Sequence, residues 1–569
     1  MPRSLLSTLV TVFVVLGPLQ AHAAPAHYDL IIRNGVVYDG TGAKPQRVDV
    51  AVNGDRVAAW LPPGNDAVGK QVLDAKGQAV APGFINMLSW ANESLIADGR
   101  GMSDTKQGVT LEVFGEGWSM GPYNQKMKDE ALKQQGDIRY PIEWTTLGEY
   151  LDYLTRRGIT PNVASFVGAT TVRIHELGED DVQPDAAQLA RMQDLVRAAM
   201  REGALGVGGS LIYPPAAFAK PPELVALAQA AAESGGGYIA HMRSEADRFL
   251  EALDETIAIS RATGQRAEAY HLKAAGEKNW PKMAQAIARI NAARADGLPV
   301  SADMYTYTAG ATMLAATLPP WVQAGGQEAM MARLKDPAIR QRITAEMRDP
   351  NVGWENLRLL AGSDERVLLL GFKSDKLKPL SGKTLAAVAK ARGKPVEETI
   401  MDLIVEDDSP ISAAFFLMSE DNVELGLKQP WVSLGSDAES SAPEGVFLKS
   451  TTHPRAYGNF SRLLGHYVRD RKLMPLEEGI HRLTGLPAGN WKLRDRGCLA
   501  AGCMADIVVF DPATIGDPAT YEKPMQYATG VNQVFVNGVQ VLRDGEHTGA
   551  KPGRVVRGPG WVPVGASAL

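Results

Sequence analysis

The segment YIAHMRSEADRFLEALDETIAISRATGQRAEAYHLK (238–273) decides how this chain reads. It opens on a short apolar run, YIAHM (238–242). It then passes through RFLEALDETIAISRATG (248–264), where apolar residues recur at helical spacing, and closes on a second short run, AEAYHL (267–272). Strand, helix, strand in that order is the unit of a parallel sheet, because parallel neighbours need a long crossover and a helix fills it. Each run carries a histidine near its C-terminal end, His241 and His271.

The same alternation extends in both directions. Apolar runs occur at APGFINM (81–87), GVTLEVFGE (108–116), NVASFVGA (162–169), LGVGGSL (205–211), PVSADMY (299–305) and WVSLGSD (431–437), with helical patterns such as DAAQLARMQDLVRAAMREG (185–203) between them. About eight strands of this kind predict an α/β fold, a (β/α)₈ TIM-like barrel. The structural rival is an open doubly wound sheet, but no GxGxxG follows a strand. The stretch from about 306 to 430 is too long for one crossover and is predicted to be a mostly helical insertion, of the kind that covers a site.

Both chain ends read differently. YDLIIRNGVVYDGTG (28–42) and VDVAVNGDRVAAW (48–60) alternate around Asn-Gly and Asp-Gly turns, and so do ADIVVFD (505–511) and VNQVFVNGVQVLRDGE (531–546). These predict one small β-sandwich domain formed from both chain ends, residues 26–80 and 495–562, flanking a barrel at 81–494. Residues 1–23 read as an export signal, with Arg3, an apolar stretch from Leu5 to Leu19, and the small-x-small site Ala21-His22-Ala23. The expected location is periplasmic or secreted, with no membrane span after signal removal. The chain has 569 residues, 45% of them hydrophobic, and a net charge of −6 with no basic block, which excludes the electrostatic footprint of a nucleic-acid binder. Two cysteines, Cys498 and Cys503, cannot staple a chain this size; they read either as a pair or as two small packing residues.

Polar residues at the C-terminal ends of barrel strands point into a common mouth. Glu116, His241, His271 and Asp437 all stand at such ends. Two imidazoles with a carboxylate form a zinc coordination set that leaves a position open for water, and a further carboxylate can carry protons. A helix cap is the alternative reading for Glu116 and for Asp437.

The motifs then match a family. APGFIN (81–86), GVT (108–110), LIYPP (211–215), AHMRSE (240–245), HLKAAG (271–276), DMYTYTAG (303–310), GSD (435–437), HPRAYGNF (453–460) and DGEHTGAKPGRVVRG (544–558) run over nearly the whole mature chain. The chain resembles the amidohydrolase superfamily in its D-aminoacylase (N-acyl-D-amino-acid deacylase) branch. The resemblance implies that His241 and His271 are metal ligands and that Asp437 is the catalytic acid/base. It also implies that Arg455 grips a substrate carboxylate with two parallel hydrogen bonds, and that Tyr213, Tyr305 and Lys273 line the pocket. It implies a divalent metal with a metal-activated water, and a small-molecule N-acyl amino acid or related amide as substrate; the centre expected in this chain is mononuclear, one Zn²⁺ held by Glu116, His241 and His271.

Three departures stand out. The superfamily's H-x-H after the first strand is replaced in PGFINMLSWANES, where Leu88 and Trp90 occupy the histidine positions and neither binds a metal. That site is disabled or rebuilt from Asn92 or Glu93. GEGW (115–118) stands for the branch's GNCG, so Glu116 or a neighbour substitutes for a cysteine ligand, and Ala169 stands where a histidine is expected near strand three. Trp90 and Trp118 are candidates for an apolar wall against the acyl chain. Alternatives at this stage are hydrolysis of cyclic amides, dipeptides or long-chain N-acyl amino acids on the same scaffold, or a catalytically degenerate ligand-binding barrel.

Overall fold

The computed structural model describes residues 26–563, so the export signal expected at 1–23 lies outside the described residues. The apolar runs become parallel strands that neighbour one another in chain order. They are Phe84–Asn86, Val109–Phe114, Asn162–Ser165 continued by Val167–Gly168, Gly206–Ser210, Gly237–His241, Ala267–Ala269, Val300–Met304 and Val432–Leu434. Each pairs in parallel with the next. The eighth returns to the first: Met87 N–H donates to Leu434 O at 3.1 Å, and Ser89 bridges Ala438 in parallel.

Helices such as Ala186–Arg201 lie between strands because their sequence starts and stripes them correctly. Asp185 caps that helix in a reciprocal box with Gln188, and its buried residues Met192, Val196, Ala199 and Met200 follow the helical repeat. Inside the strand array, Ile85, Leu111, Val113, Phe166 and Ile239 share one apolar cluster with Trp491, whose ring meets Phe166 edge-on at 4.6 Å.

The long segment after the seventh strand holds seven α-helices, from Pro320–Gln323 to Glu420–Leu427, and also a sheet that its sequence does not predict. It carries a three-stranded antiparallel sheet, Ala309–Met313, Ser412–Phe416 and Val367–Gly371, with helices packed around it. β-branched content in this sheet is low, so periodicity alone gives no strong strand signal there.

The two chain ends share one core. One sheet orders Arg56–Leu61, Asp49–Asn53, His27–Arg33 and Val68–Asp74. In the other, Ala79–Pro82 pairs antiparallel with Ile507–Phe510, joining residues from opposite ends of the chain. Leu30, Ile32, Val50, Val509 and Phe535 pack together between the sheets. Asn537 and Gly538, at φ 49° and 79°, form the two-residue hairpin loop that the Asn-Gly signal predicts. Cys498 and Cys503 are joined as a disulfide. No helix of the described residues is long and apolar enough to cross a membrane.

Removing the Phe166 ring empties space that Trp491 and Tyr270 cannot refill. Phe166→Ala is expected to cost roughly 3–5 kcal/mol, seen as a clear fall in thermal midpoint, whereas Leu448→Ala, at a site 61% exposed, leaves the midpoint near wild type.

Candidate active site

The strand ends bring four of the expected residues into one mouth. Glu116 lies just past the second strand, between Gly115 at φ 109° and Gly117 at φ 72°. A Cβ on Gly117 would stand 2.3 Å from that of Ser210, and one on Gly115 would stand 2.4 Å from Phe166 O, so only glycines let this loop pass between the neighbouring strands. His241 closes the fifth strand. His271 follows the sixth at φ 35°, a strained conformation for a histidine, held because its N–H donates to the buried Asp303 carboxylate at 2.7 Å.

Glu116 Oε1 is 2.8 Å from His271 Nε2 and 3.1 Å from His241 Nδ1, and all three residues are buried. One ligand atom from each lies within 4.8 Å of the others. Burial opposes the charged form of Glu116, but His271 and His241 outweigh it and hold the carboxyl down at about 2. Burial and Lys273 lower the basicity of His271, yet Glu245 and Glu116 prevail and raise it to about 10. The field that keeps a proton on this imidazole is the field that would retain a cation. A carboxylate oxygen and two imidazoles that each bring a ligand atom to one point fit a divalent metal.

Asp437 follows the eighth strand at φ 50°, its N–H donating to Leu88 O at 2.8 Å. It caps no helix: Oδ2 lies 2.9 Å from Arg455 NH1. Burial raises its carboxyl above the ordinary range against the pull of Arg455. Arg455 lies 4.6 Å over the Tyr305 ring and donates from NH2 to Ala311 O at 3.2 Å. Its Nε is buried without a hydrogen-bond partner. The Tyr213 ring meets His241 edge-on at 5.1 Å. Lys273 Nζ donates to Glu245 Oε1 at 2.6 Å and to His271 O at 3.0 Å, and lies 2.8 Å from His271 Nδ1. All of these residues line one cavity of about 700 Å³, with Trp90 and Trp118 at its wall.

Sequence reasoning missed Glu245. It stands four residues after His241, 3.1 Å from His271 Nδ1 and 3.7 Å from His241 Nε2, on the side of both imidazoles away from Glu116. Its place at the end of AHMRSE, a carboxylate close in sequence to His241, was the available signal. His453 was missed too: Nδ1 accepts the Arg455 N–H at 3.0 Å and Nε2–H donates to Ala309 O at 3.0 Å, tying the arginine loop to the insertion's sheet. Asn92 and Glu93 do not join the histidines; Glu93 Oε1 instead accepts the Tyr140 hydroxyl at 2.5 Å.

A buried carboxylate and two imidazoles at strand ends, with a second carboxylate opposite, form a cluster able to hold a metal ion. The amidohydrolase family pattern matches residues 71–542, and the chain belongs to that family. It is 33% identical over 533 residues to a D-aminoacylase of Alcaligenes xylosoxydans xylosoxydans (93% of this chain, 97% of the relative), and 32% identical over 545 residues to an N-acyl-D-aspartate deacylase of the same organism (94% and 96%). Among solved structures, a D-aminoacylase described by one-metal activation and second-metal attenuation of its binuclear centre matches with TM-score 0.77 at 31% identity, covering 93% of this chain and all of that one. An N-acyl-D-glutamate deacylase from Bordetella bronchiseptica, complexed with zinc and a phosphonate inhibitor, matches with TM-score 0.77 at 30% identity, covering 93% and 100%.

A carboxylate behind a ligand histidine fixes the imidazole's tautomer and orientation, and its loss typically weakens metal binding by about 10–100-fold. Glu245→Ala is therefore expected to lower zinc affinity by about that factor in equilibrium dialysis, with Glu245→Asp intermediate; unchanged affinity in Glu245→Ala would show that the contact to His271 is incidental.

Proposed function

We propose that this chain is an N-acyl-D-amino-acid deacylase, a (β/α)₈ barrel hydrolase with one divalent metal, expected to be zinc, held by Glu116, His241 and His271. The observation that carries the reading is the convergence of Arg455, whose buried Nε has no partner, on the same cavity as the Glu116–His241–His271 cluster and Asp437. That is a carboxylate grip beside hydrolytic groups. The barrel reading is supported by the return of the eighth strand to the first through Met87 and Leu434. The deacylase reading is supported by relatives named D-aminoacylase and N-acyl-D-aspartate deacylase that align over nearly the full chain.

A bound divalent cation lowers the pKa of water and polarises an amide carbonyl. The chain's own residues do the rest. Arg455 receives the amino-acid carboxylate through its guanidinium, which lies over the Tyr305 ring. Asp437 takes a proton from the attacking water and returns it to the leaving amine nitrogen. Its raised pKa keeps it basic enough for the first transfer and acidic enough for the second. Apolar side chains such as Phe372, Ile411 and Phe415 line the cavity where the acyl group would lie. Export is part of the same proposal, supported by the Cys498–Cys503 disulfide, since such bonds persist in oxidising compartments.

The direct test is a panel of N-acyl-D-amino acids, their L counterparts and cyclic amides. The D-series is expected to turn over fastest, and cyclic amides being the better substrates would overturn the reading. Asp437→Asn is expected to lose at least about a hundredfold in kcat with zinc content near wild type. Arg455→Ala is expected to raise KM for substrates with a free carboxylate and to leave amidated analogues unaffected.

A further inference from the structure

The departure at the first strand points to something the missing histidines alone do not. Backbone bonds lace the end of the first strand to the end of the eighth: Met87 N–H to Leu434 O at 3.1 Å, Asp437 N–H to Leu88 O at 2.8 Å, and Trp90 N–H to Ala438 O at 2.9 Å. This brings the Trp90 side chain beside Asp437. Its indole Nε1 lies 3.0 Å from Glu116 Oε2 and 3.1 Å from Asp437 Oδ1, so a single N–H is shared between the two carboxylates. Trp90 is 36% exposed, with its ring on the cavity wall. It was expected to be an apolar surface for the acyl chain, but its polar edge is turned into the site.

Two carboxylates facing one point repel each other and attract a cation into the space between them. In this chain an N–H donor fills that space. We propose that the Trp90 indole takes the place of a second metal ion: its N–H bridges Glu116 and Asp437, its ring excludes a second cation, and the shared hydrogen bond fixes Asp437 for proton transfer. Both Asp437 oxygens are then assigned, Oδ1 to Trp90 and Oδ2 to Arg455. Leu88, the other residue in the histidine positions, is fully buried and offers no ligand atom. The solved D-aminoacylase described by second-metal attenuation has a site that a second metal can enter; in this chain that entry is blocked by a neutral donor that needs no occupancy. Trp90 is in these terms a positioning residue for Asp437 and a determinant of metal stoichiometry.

This inference rests on the metal-hydrolase reading, and its test separates the two. Zinc bound per chain is measured by equilibrium dialysis and atomic emission on the full-length mature protein, for wild type, Trp90→Phe and Trp90→His. In parallel, kcat and KM are followed on an N-acyl-D-amino acid at rising free zinc. Wild type is expected to saturate at one zinc and to keep its activity in excess zinc. Trp90→Phe, which keeps the ring and loses the N–H, is expected to hold one zinc with kcat down about tenfold or more and KM little changed. Trp90→His supplies a ligand atom and is expected to bind a second zinc. A second zinc in wild type, wild-type kcat in Trp90→Phe, or a single zinc in Trp90→His each overturns the proposal. No zinc in wild type overturns the underlying hydrolase reading instead. Melting curves identify any variant that fails to fold, and the wild-type stoichiometry needs no variant.

Discussion

One carboxylate oxygen, Glu116 Oε1, lies between imidazole nitrogens of two histidines on adjacent strands, at 2.8 and 3.1 Å, and the rest of the mouth is arranged about that concentration of charge. Burying an anion without partners is far too costly for a folded protein to sustain. Here the anion is matched by His271, His271 by Glu245, and Glu245 in turn by Lys273, so charges alternate in sign through the buried site. Such a network is stable only if every member is satisfied.

The fold supports this cluster by strain and by clamping. His271 and Asp437 both have backbone at positive φ, which costs on the order of 1–3 kcal/mol each in non-glycine residues. Each is held there by a backbone bond to a neighbouring strand or its buried acid. The insertion contributes from outside. Glu355 Oε1 accepts the N–H groups of Glu245 at 2.8 Å and Ala246 at 2.9 Å, which fixes the loop that carries Glu245. His453 and Arg455 bond to Ala309 and Ala311 on the insertion's first strand. The covering segment is thus bonded directly to the residues that face substrate.

Much of this was legible in the sequence, for identifiable reasons. Short apolar runs separated by amphipathic helices locate the strands, and a strand locates its own C-terminal end, so Glu116, His241, His271 and Asp437 converge once the order is right. Asn-Gly pairs locate hairpins because both residues tolerate positive φ, as Asn537 and Gly538 do. The insertion's sheet was not legible, because AGATM and SAAFF carry weak strand propensity and sit among strong helical patterns. Glu245, His453 and the polar role of Trp90 were not legible either. Each acts through a contact set by tertiary placement, and a tryptophan in a ligand position reads first as an apolar substitute.

The central claim, that Glu116, His241 and His271 together hold a cation, is tested most directly by X-ray absorption at the zinc edge of the purified zinc-loaded protein. The account predicts two imidazole nitrogens with carboxylate and water oxygens at about 2.0–2.2 Å and no sulfur shell. A sulfur shell near about 2.3 Å, or an all-oxygen shell without imidazole scattering, would contradict it.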